Sequence, residues 1–384
     1  MNRVPRSAYI HIPFCVRKCA YCDFLSFPDC LGRKDEYVRA LLREIELSPS
    51  FAKCTAPLTT IYLGGGTPSL LDPEDVSAIL SALSKTFGIE KDCEITLEAN
   101  PGTIDEEKLS AFQKCGVNRL SIGVQSLDDS VLSTLGRIHD AKAAKDAIES
   151  AQHAGFTNLS CDMMLGIPGQ TLESVKDTLS YFLSRNIPHI SLYSLILEEG
   201  TPMYARYEGD IEKYVTPEQD REMYHEVVDT LSQNGFFHYE ISNMARPGFE
   251  SRHNMMYWRA EPYFAFGCGA HYYLGNERGR HSDDLSEYIE ALKKPDVRRD
   301  DVWFSEETIS EEDRKKEFML LRFRMGSGVS EEEFQKEFGV DVASVWGEKL
   351  RSELEKGLIS HEDGAYFLTE KGFDLANQVF MDYI

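Results

Sequence analysis

Cys15, Cys19 and Cys22 fall within eight positions of the stretch Tyr9-Ile-His-Ile-Pro-Phe-Cys-Val-Arg-Lys-Cys-Ala-Tyr-Cys-Asp-Phe24, at C-x3-C-x2-C spacing. Cys30 comes next and is out of step with them. A metal site closed by protein alone usually takes four ligands. Three thiolates on one short loop can instead hold three corners of a four-iron, four-sulfur cube and leave the fourth iron without a protein ligand. An open metal position is a reaction position, by the logic that separates catalytic from structural zinc. A zinc knuckle is the alternative, but no second C-x2-C or H-x3-H pair follows at suitable spacing. Three unrelated thiols in a cytosolic loop is the other.

Further residues could line a pocket beside such a loop. Gly64-Gly-Gly-Thr-Pro-Ser69 supplies Gly65 and Gly66, which let backbone approach a ligand closely, and the Thr67 hydroxyl. Alone, the run also reads as a tight turn. Glu98, in Leu-Glu-Ala-Asn-Pro, and Gln125, in Gly-Val-Gln-Ser, stand at the ends of apolar runs. Asp162 lies within another, and Arg137 sits in Leu-Gly-Arg-Ile-His. Carboxylates at strand ends suit ribose hydroxyls and an ammonium, and a guanidinium suits a carboxylate. Each residue taken singly reads equally well as a surface or core-edge polar group.

The elements that must hold these residues alternate. Short apolar runs at 7–12, 60–64, 94–100, 119–126, 158–166 and 189–195 read as strands covered on both sides. Between them lie amphipathic helices, one with Tyr37, Val38, Leu41, Leu42 and Ile45 on a stripe. Others use Val76, Ile79, Leu80 and Leu83, or Val175, Leu179, Phe182 and Leu183. A seventh element near 223–231 closes the series. Six βα units predict an α/β fold with a parallel sheet, either open and doubly wound or curved into a partial barrel, over residues 1–235. Residues 236–300 are rich in aromatics and read as an extension of that barrel. From 305 to 384, helical patterns at 318–323, 331–338 and 345–356 precede a two-strand wing at 357–368 turning at Asp363-Gly364. That predicts a small α+β domain of winged-helix type. It carries 19 Asp and Glu against 10 Lys and Arg, which argues for packing or partner binding rather than DNA reading.

Composition narrows the class. The 384 residues are 42% hydrophobic, enough for a sizeable core. The formal net charge of −23 argues against a general grip on nucleic acid or anionic lipid. No run reaches the roughly 18 apolar residues of a membrane span. Nine cysteines, an odd number in a long chain, favour metal or redox chemistry over disulfides. These features predict a soluble, cytoplasmic protein.

With Tyr21 just before the last cysteine, and the three cysteines directly after a first strand, the chain resembles the radical S-adenosylmethionine superfamily. That resemblance implies a partial, TIM-like (β/α)6 barrel with its reactive groups at the C-terminal strand ends. It implies a [4Fe-4S] cluster whose fourth iron is chelated by the methionine end of S-adenosylmethionine, and an electron that releases a 5′-deoxyadenosyl radical. More narrowly, Tyr9-Ile-His-Ile-Pro-Phe-Cys, Gly-Gly-Gly-Thr-Pro-Ser, Leu-Gly-Arg-Ile-His, Leu-Gly-Ile-Pro-Gly-Gln170 and Gly267-Cys-Gly-Ala-His271 resemble the oxygen-independent coproporphyrinogen III oxidase family. By position, Tyr9, Gly65, Gly66, Thr67, Glu98, Gln125, Arg137 and Asp162 match that family's cofactor-contacting residues, and Tyr21 joins them.

Two departures separate the chain from the oxidases. They carry C-x3-C-x2-C-x-C, and here Phe24 stands at the last position. They also carry a segment ahead of the first strand, which this chain enters by residue 7. Both departures match the family's haem-chaperone branch, and so does His253-Asn-Met-Met-Tyr-Trp258, of the H-N-x-x-Y-W form associated there with haem binding. The resemblance implies His253 as a haem-iron ligand with Asn254, Tyr257 and Trp258 as haem contacts. On a helix His253 and Tyr257 share a face. From the residues alone His253 reads as a structural histidine, and His271 and His11 compete for the ligand role. Tyr272 stands where relatives usually carry Ser. The implied function is haem binding and transfer to acceptor haemoproteins, with an electron donor as further partner and no residue assigned a catalytic role. The alternative is oxidative decarboxylation of coproporphyrinogen III to protoporphyrinogen IX. A homodimer and peripheral membrane association stay open.

Overall fold

The computed structural model describes residues 4–52 and 56–384. Strand and helix alternate through the first two-thirds. They are β1 (Ser7–Ile12), α1 (Lys34–Phe51), β2 (Leu58–Gly65), α2 (Pro73–Phe87), β3 (Ile89–Ala99), α3 (Glu106–Cys115), β4 (Arg119–Gln125), α4 (Asp129–Thr134), α5 (Ala141–His153), β5 (Leu159–Leu165), α6 (Leu172–Ser184) and β6 (His189–Ser194). Short side-chain acceptors start the helices: Asp105, Asp140 and Thr171 each accept from a backbone N–H three residues on.

Strands β1 to β6 pair in chain order, each parallel to the last. This settles the choice left by the periodicity. A doubly wound sheet reverses its order at a switch point. Here every right-handed crossover leads to the next neighbour, so the helices share one face and the sheet curls away from them. The helices pack side by side, α1 on α2, α2 on α3 and α3 on α5. The result is a partial (β/α)6 barrel.

The strands are less uniformly apolar than expected. Ala8, Ile10, Ile12, Ile61, Leu63, Leu97, Leu120 and Ile122 are buried in one core with the helices. The alternate residues, among them Tyr9, Tyr62, Glu98, Ser121, Asp162 and His189, line the concave side and hydrogen-bond to one another there. The period of two therefore separates an oily outer wall from a polar lumen.

After α7 (Pro202–Arg206) and α8 (Pro217–Gln233), the aromatic segment closes both edges. β7 (Phe237–Glu240) pairs antiparallel with β8 (Asn243–Ala245), and β8 adds antiparallel to β6. Beyond α9 (Arg252–Trp258), β9 (Phe264–Phe266) lies parallel to β1. β10 (His271–Leu274), β11 (Glu277–Arg280) and, after α10 (Leu285–Lys293), β12 (Phe304–Thr308) form a separate antiparallel sheet. A fully buried carboxylate, Glu44 of α1, ties this region to the barrel. It accepts from Gly267 N (3.0 Å), Tyr288 Oη (2.6 Å) and Trp303 Nε1 (2.7 Å), and it meets His281 Nε2. Buried polar atoms are kept only when hydrogen-bonded in this way.

The chain ends in a second core, built by α11 (Glu311–Phe323), β13 (Val329–Ser330), α12 (Glu331–Phe338), α13 (Val342–Lys356), β14 (Ile359–Glu362), β15 (Ala365–Leu368), α14 (Glu370–Asp374) and α15 (Ala376–Met381). β14 and β15 join through Asp363 and Gly364, both at positive φ (48° and 74°), the two-residue turn that matches strand twist. No helix among the described residues is long and apolar enough to cross a membrane.

Candidate cofactor site and the buried histidine motif

The three-cysteine loop follows β1 at the C-terminal end of the barrel. The segments that follow α4 and open α7 pin it. Ala20 N donates to Leu135 O (3.0 Å), Met203 N donates to Ala20 O (2.8 Å), and Arg17 donates to the carbonyls of Gly136 (2.9 Å) and Arg137 (3.0 Å). Tyr21 packs beside Val131, Leu135 and Met203 and hydrogen-bonds Arg137, and burial raises its pKa.

Two of the sulfurs already face donors. Thr67 Oγ1 donates to Cys15 Sγ (3.4 Å) and Arg137 Nη1 to Cys19 Sγ (3.5 Å). Asn100, just past β3, joins these donors: its Nδ2 donates to Thr67 Oγ1 (2.9 Å) and its Oδ1 accepts from Arg137. Arg137 also donates to Gly123 O (2.7 Å), at a spot where a Cβ on residue 123 would lie 2.8 Å from Asn100 Oδ1. Asn100 was missing from the sequence reading, although it stands in the same Leu-Glu-Ala-Asn-Pro stretch as Glu98. Burial raises the Cys22 thiol to about 11. All three thiols are free. Among the described residues no group of three His, Cys, Asp or Glu side chains could share one metal ion. A cube asks for something else, one thiolate on each of three irons, with hydrogen bonds to sulfur to stabilise its charge. The cysteines and their Thr67, Asn100 and Arg137 partners fit that group.

Deeper in the lumen, Glu98 accepts from Tyr62 Oη (2.8 Å) and Gly65 N (3.0 Å). Burial pushes its pKa up to about 7. Asp162 accepts from Ser121 Oγ (3.2 Å), and burial raises it as well. Gln125 is buried and holds a positive φ of 67°, unusual for a residue with a side chain. Gly65 has φ 113°, and a Cβ there would sit 2.5 Å from the His11 ring. His11 Nε2 donates to Leu25 O (3.0 Å), so its Nδ1 accepts from Tyr9 Oη (2.9 Å), and burial lowers its pKa to about 4. With both nitrogens engaged, His11 braces the far end of the cysteine loop.

The histidine motif is elsewhere. His253 and Tyr257 do share one face of α9, and that face plugs the lumen from the N-terminal ends of the strands. His253 is buried, with Nδ1 on Thr60 Oγ1 (2.9 Å) and Nε2 on Tyr257 Oη (2.9 Å). Its ring stacks on Tyr62, with centroids 5.1 Å apart. Burial, then the charge of buried Arg119, lower its pKa to about 3, so it is a neutral imidazole. The Glu94 carboxylate caps α9 by accepting from Arg252 N (3.1 Å) and His253 N (3.0 Å). Asn254 donates its backbone N–H to Ser251 Oγ. Trp258 lies under the Arg324 guanidinium, 4.4 Å from its ring centroid, and its carbonyl accepts from Arg322 (2.7 Å). The opposite face of α9, through Arg252, Met255 and Met256, lines a cleft of about 910 Å³. His271 is exposed, beside Glu306.

A three-thiol loop at the mouth of a partial (β/α)6 barrel defines a radical S-adenosylmethionine protein. Residues 9–182 match the Radical SAM superfamily, and residues 309–375 match the HemN C-terminal domain. The solved structure described as coproporphyrinogen III oxidase (HemN) from Escherichia coli superposes with a TM-score of 0.83 at 22% identity, covering 99% of this chain and 90% of that one. At that identity the likeness shows the fold. The heme chaperone HemW of Lactococcus lactis subsp. lactis is 36% identical over 100% of this chain and 98% of its own length, and that of Bacillus subtilis is 37% identical over 98% of each. The chain belongs to the HemW family.

Proposed function

We propose that the protein is a haem chaperone, which binds haem and passes it to acceptor haemoproteins. The observation that carries this reading is end-to-end similarity to proteins named heme chaperones, together with Phe24 at the position of the oxidases' fourth cysteine. Cys15, Cys19 and Cys22 would hold a [4Fe-4S] cluster, and Gly65, Gly66, Thr67, Glu98, Gln125, Asp162 and Tyr9 would surround S-adenosylmethionine. A reduced cluster supplies one electron, and S-adenosylmethionine the sulfur–carbon bond that such an electron can cleave. Within the chain, Arg137 and Thr67 hold charge at two sulfurs, and Glu98 presents a carboxylate to hydroxyl donors.

Haem would enter at α9. Neutral imidazole is a standard axial ligand of haem iron, and His253 is kept neutral by its burial. To ligate, it must leave Thr60 or Tyr257, and α9 must swing toward the cleft beneath it. That cleft lies in the size range of ligand pockets. Free thiols throughout the described chain suit a reducing compartment, the cytoplasm.

The test is anaerobic. The cluster-reconstituted protein is titrated with haem by absorbance, and in parallel is incubated with coproporphyrinogen III, S-adenosylmethionine and a reductant. Haem binding without porphyrinogen turnover is the expected result, with His253→Ala weakening haem binding and sparing the cluster. Formation of protoporphyrinogen IX would overturn the chaperone assignment. An unchanged titration in His253→Ala would move the ligand to another residue, His271 first.

A further inference from the structure

The two ends of the lumen touch through one side chain. Tyr62 donates its hydroxyl to Glu98 Oε1 (2.8 Å), and Glu98 Oε2 holds Gly65 N (3.0 Å) in the glycine turn at the mouth. The same Tyr62 ring stacks on His253, at an interplanar angle of 28°. Thr60 and Tyr257 also grip His253, but neither hydrogen-bonds to Glu98. We propose that Tyr62 is a positioning residue shared by both sites, coupling occupation of the cofactor pocket to the seating of α9, so that bound S-adenosylmethionine opposes the release of His253 to haem. This rests on the reading of His253 as the haem ligand.

The direction follows from hydrogen-bond strength. A hydroxyl bond to an ionised carboxylate is roughly twice as strong as one to a neutral acceptor. Burial leaves Glu98 poised between its two forms near neutral pH. Hydroxyl donors arriving at Glu98 from a bound cofactor favour the carboxylate, tighten its bond to Tyr62 and fix the ring against His253. With the pocket empty, Glu98 takes up a proton more readily, the bond weakens and Tyr62 can turn away. Because coupling is reciprocal, haem that pulls His253 out must weaken the hold on S-adenosylmethionine by the same factor.

The experiment measures haem Kd on the full chain with its cluster reconstituted, with and without saturating S-adenosylmethionine, and the S-adenosylmethionine Kd with and without haem. The cofactor is expected to raise the haem Kd about fivefold or more, with an equal reciprocal effect. Tyr62→Phe keeps the ring on His253 and removes the hydroxyl from Glu98. It should bring the ratio below about twofold while the cluster's absorbance persists. Tyr257→Phe removes a hydroxyl from His253 that makes no hydrogen bond to Glu98. It should change the haem Kd and keep the ratio. A ratio of one in the parent protein, a ratio that survives Tyr62→Phe, or one that Tyr257→Phe abolishes equally would overturn the coupling. Absence of haem binding, or equal binding by His253→Ala, would instead overturn the underlying ligand assignment, and the relay with it.

Discussion

Gly65→Ala tests the architecture of the cofactor turn without any cofactor present. Two costs add. At φ 113° the residue lies in the left-handed half of backbone space, where a Cβ costs about 1–2 kcal/mol. The new methyl would also stand 2.5 Å from His11 Cε1 and 2.6 Å from Nδ1. His11 cannot simply rotate, because it is buried and its ring is tied at both nitrogens to Tyr9 and Leu25. Overpacking of this kind costs about 1–3 kcal/mol. The sum, about 2–5 kcal/mol, should lower the apoprotein's thermal midpoint by roughly 2–6 °C for a chain of 384 residues. A double-mutant cycle separates the two costs. His11→Ala alone forfeits two hydrogen bonds and packing, but it also clears the space the methyl needs. The double variant should therefore lose about 1–3 kcal/mol less than the sum of the singles. Additive losses would mean that the His11 clash is absent. A midpoint unchanged by Gly65→Ala would refute the turn geometry itself.

Asn100→Ala breaks the bridge between the donors to Cys15 and Cys19. The cluster should still reconstitute, with its reduction potential about 40 mV lower for roughly 1 kcal/mol of lost hydrogen bonding, and an unshifted potential in electrochemical titration would count against the bridge. Cys19→Ala should abolish the cluster, read as iron content, and leave circular dichroism intact, since no core contact depends on that sulfur. Acid should destabilise the fold early. His11, His139, His189, His238 and His253 are all lowered by burial, so each contributes stability that is present above the unfolded pKa near 6.5 and is lost as pH falls. Glu98, Asp162 and Glu240 are raised and act with the opposite sign. Five histidines against three deeply buried carboxylates leave stability falling as pH drops from the unfolded histidine value near 6.5 toward the value of about 4 held by His11 and His139. A flat unfolding profile across that window would contradict the neutral, buried histidines.

The parallel units were legible because their outer faces are apolar. β1 spans the predicted 7–12, and β4, β5 and β6 fall within a residue or two of the runs that announced them. β3 begins earlier than its run because Ile89-Glu-Lys-Asp reads as loop, yet Leu58 pairs with Ile89 across an irregularity. Periodicity alone left the curl of the sheet open, since it does not reveal strand order, and it was the resemblance carried by the cysteine motif that implied it. The wing turn was, because Asp-Gly is the residue pair that its backbone requires. The cofactor candidates could be found from their place at strand ends. The groups that organise them could not: Asn100, Tyr62 and Arg119 look like ordinary strand and loop residues, and Glu44 like a solvated helix position. His253 shows the limit from the other side. The motif marks it, and its neighbour on the same helix face was foreseen, but only the packing reveals that Thr60, Tyr62 and Tyr257 enclose it.

The pairing of β9 with β1 has a consequence for biogenesis. The edge strand that leads into the cysteine loop finds its outer neighbour only at residues 264–266, and Glu44 meets its last donor, Trp303, later still. At typical translation speeds of about 5–20 residues per second, that edge stays open for roughly 13–50 seconds after it leaves the ribosome. Unpaired edges invite aggregation. The same interval leaves the thiol loop on an unfinished scaffold, so iron delivered during synthesis would meet a site quite unlike the braced one of the completed barrel.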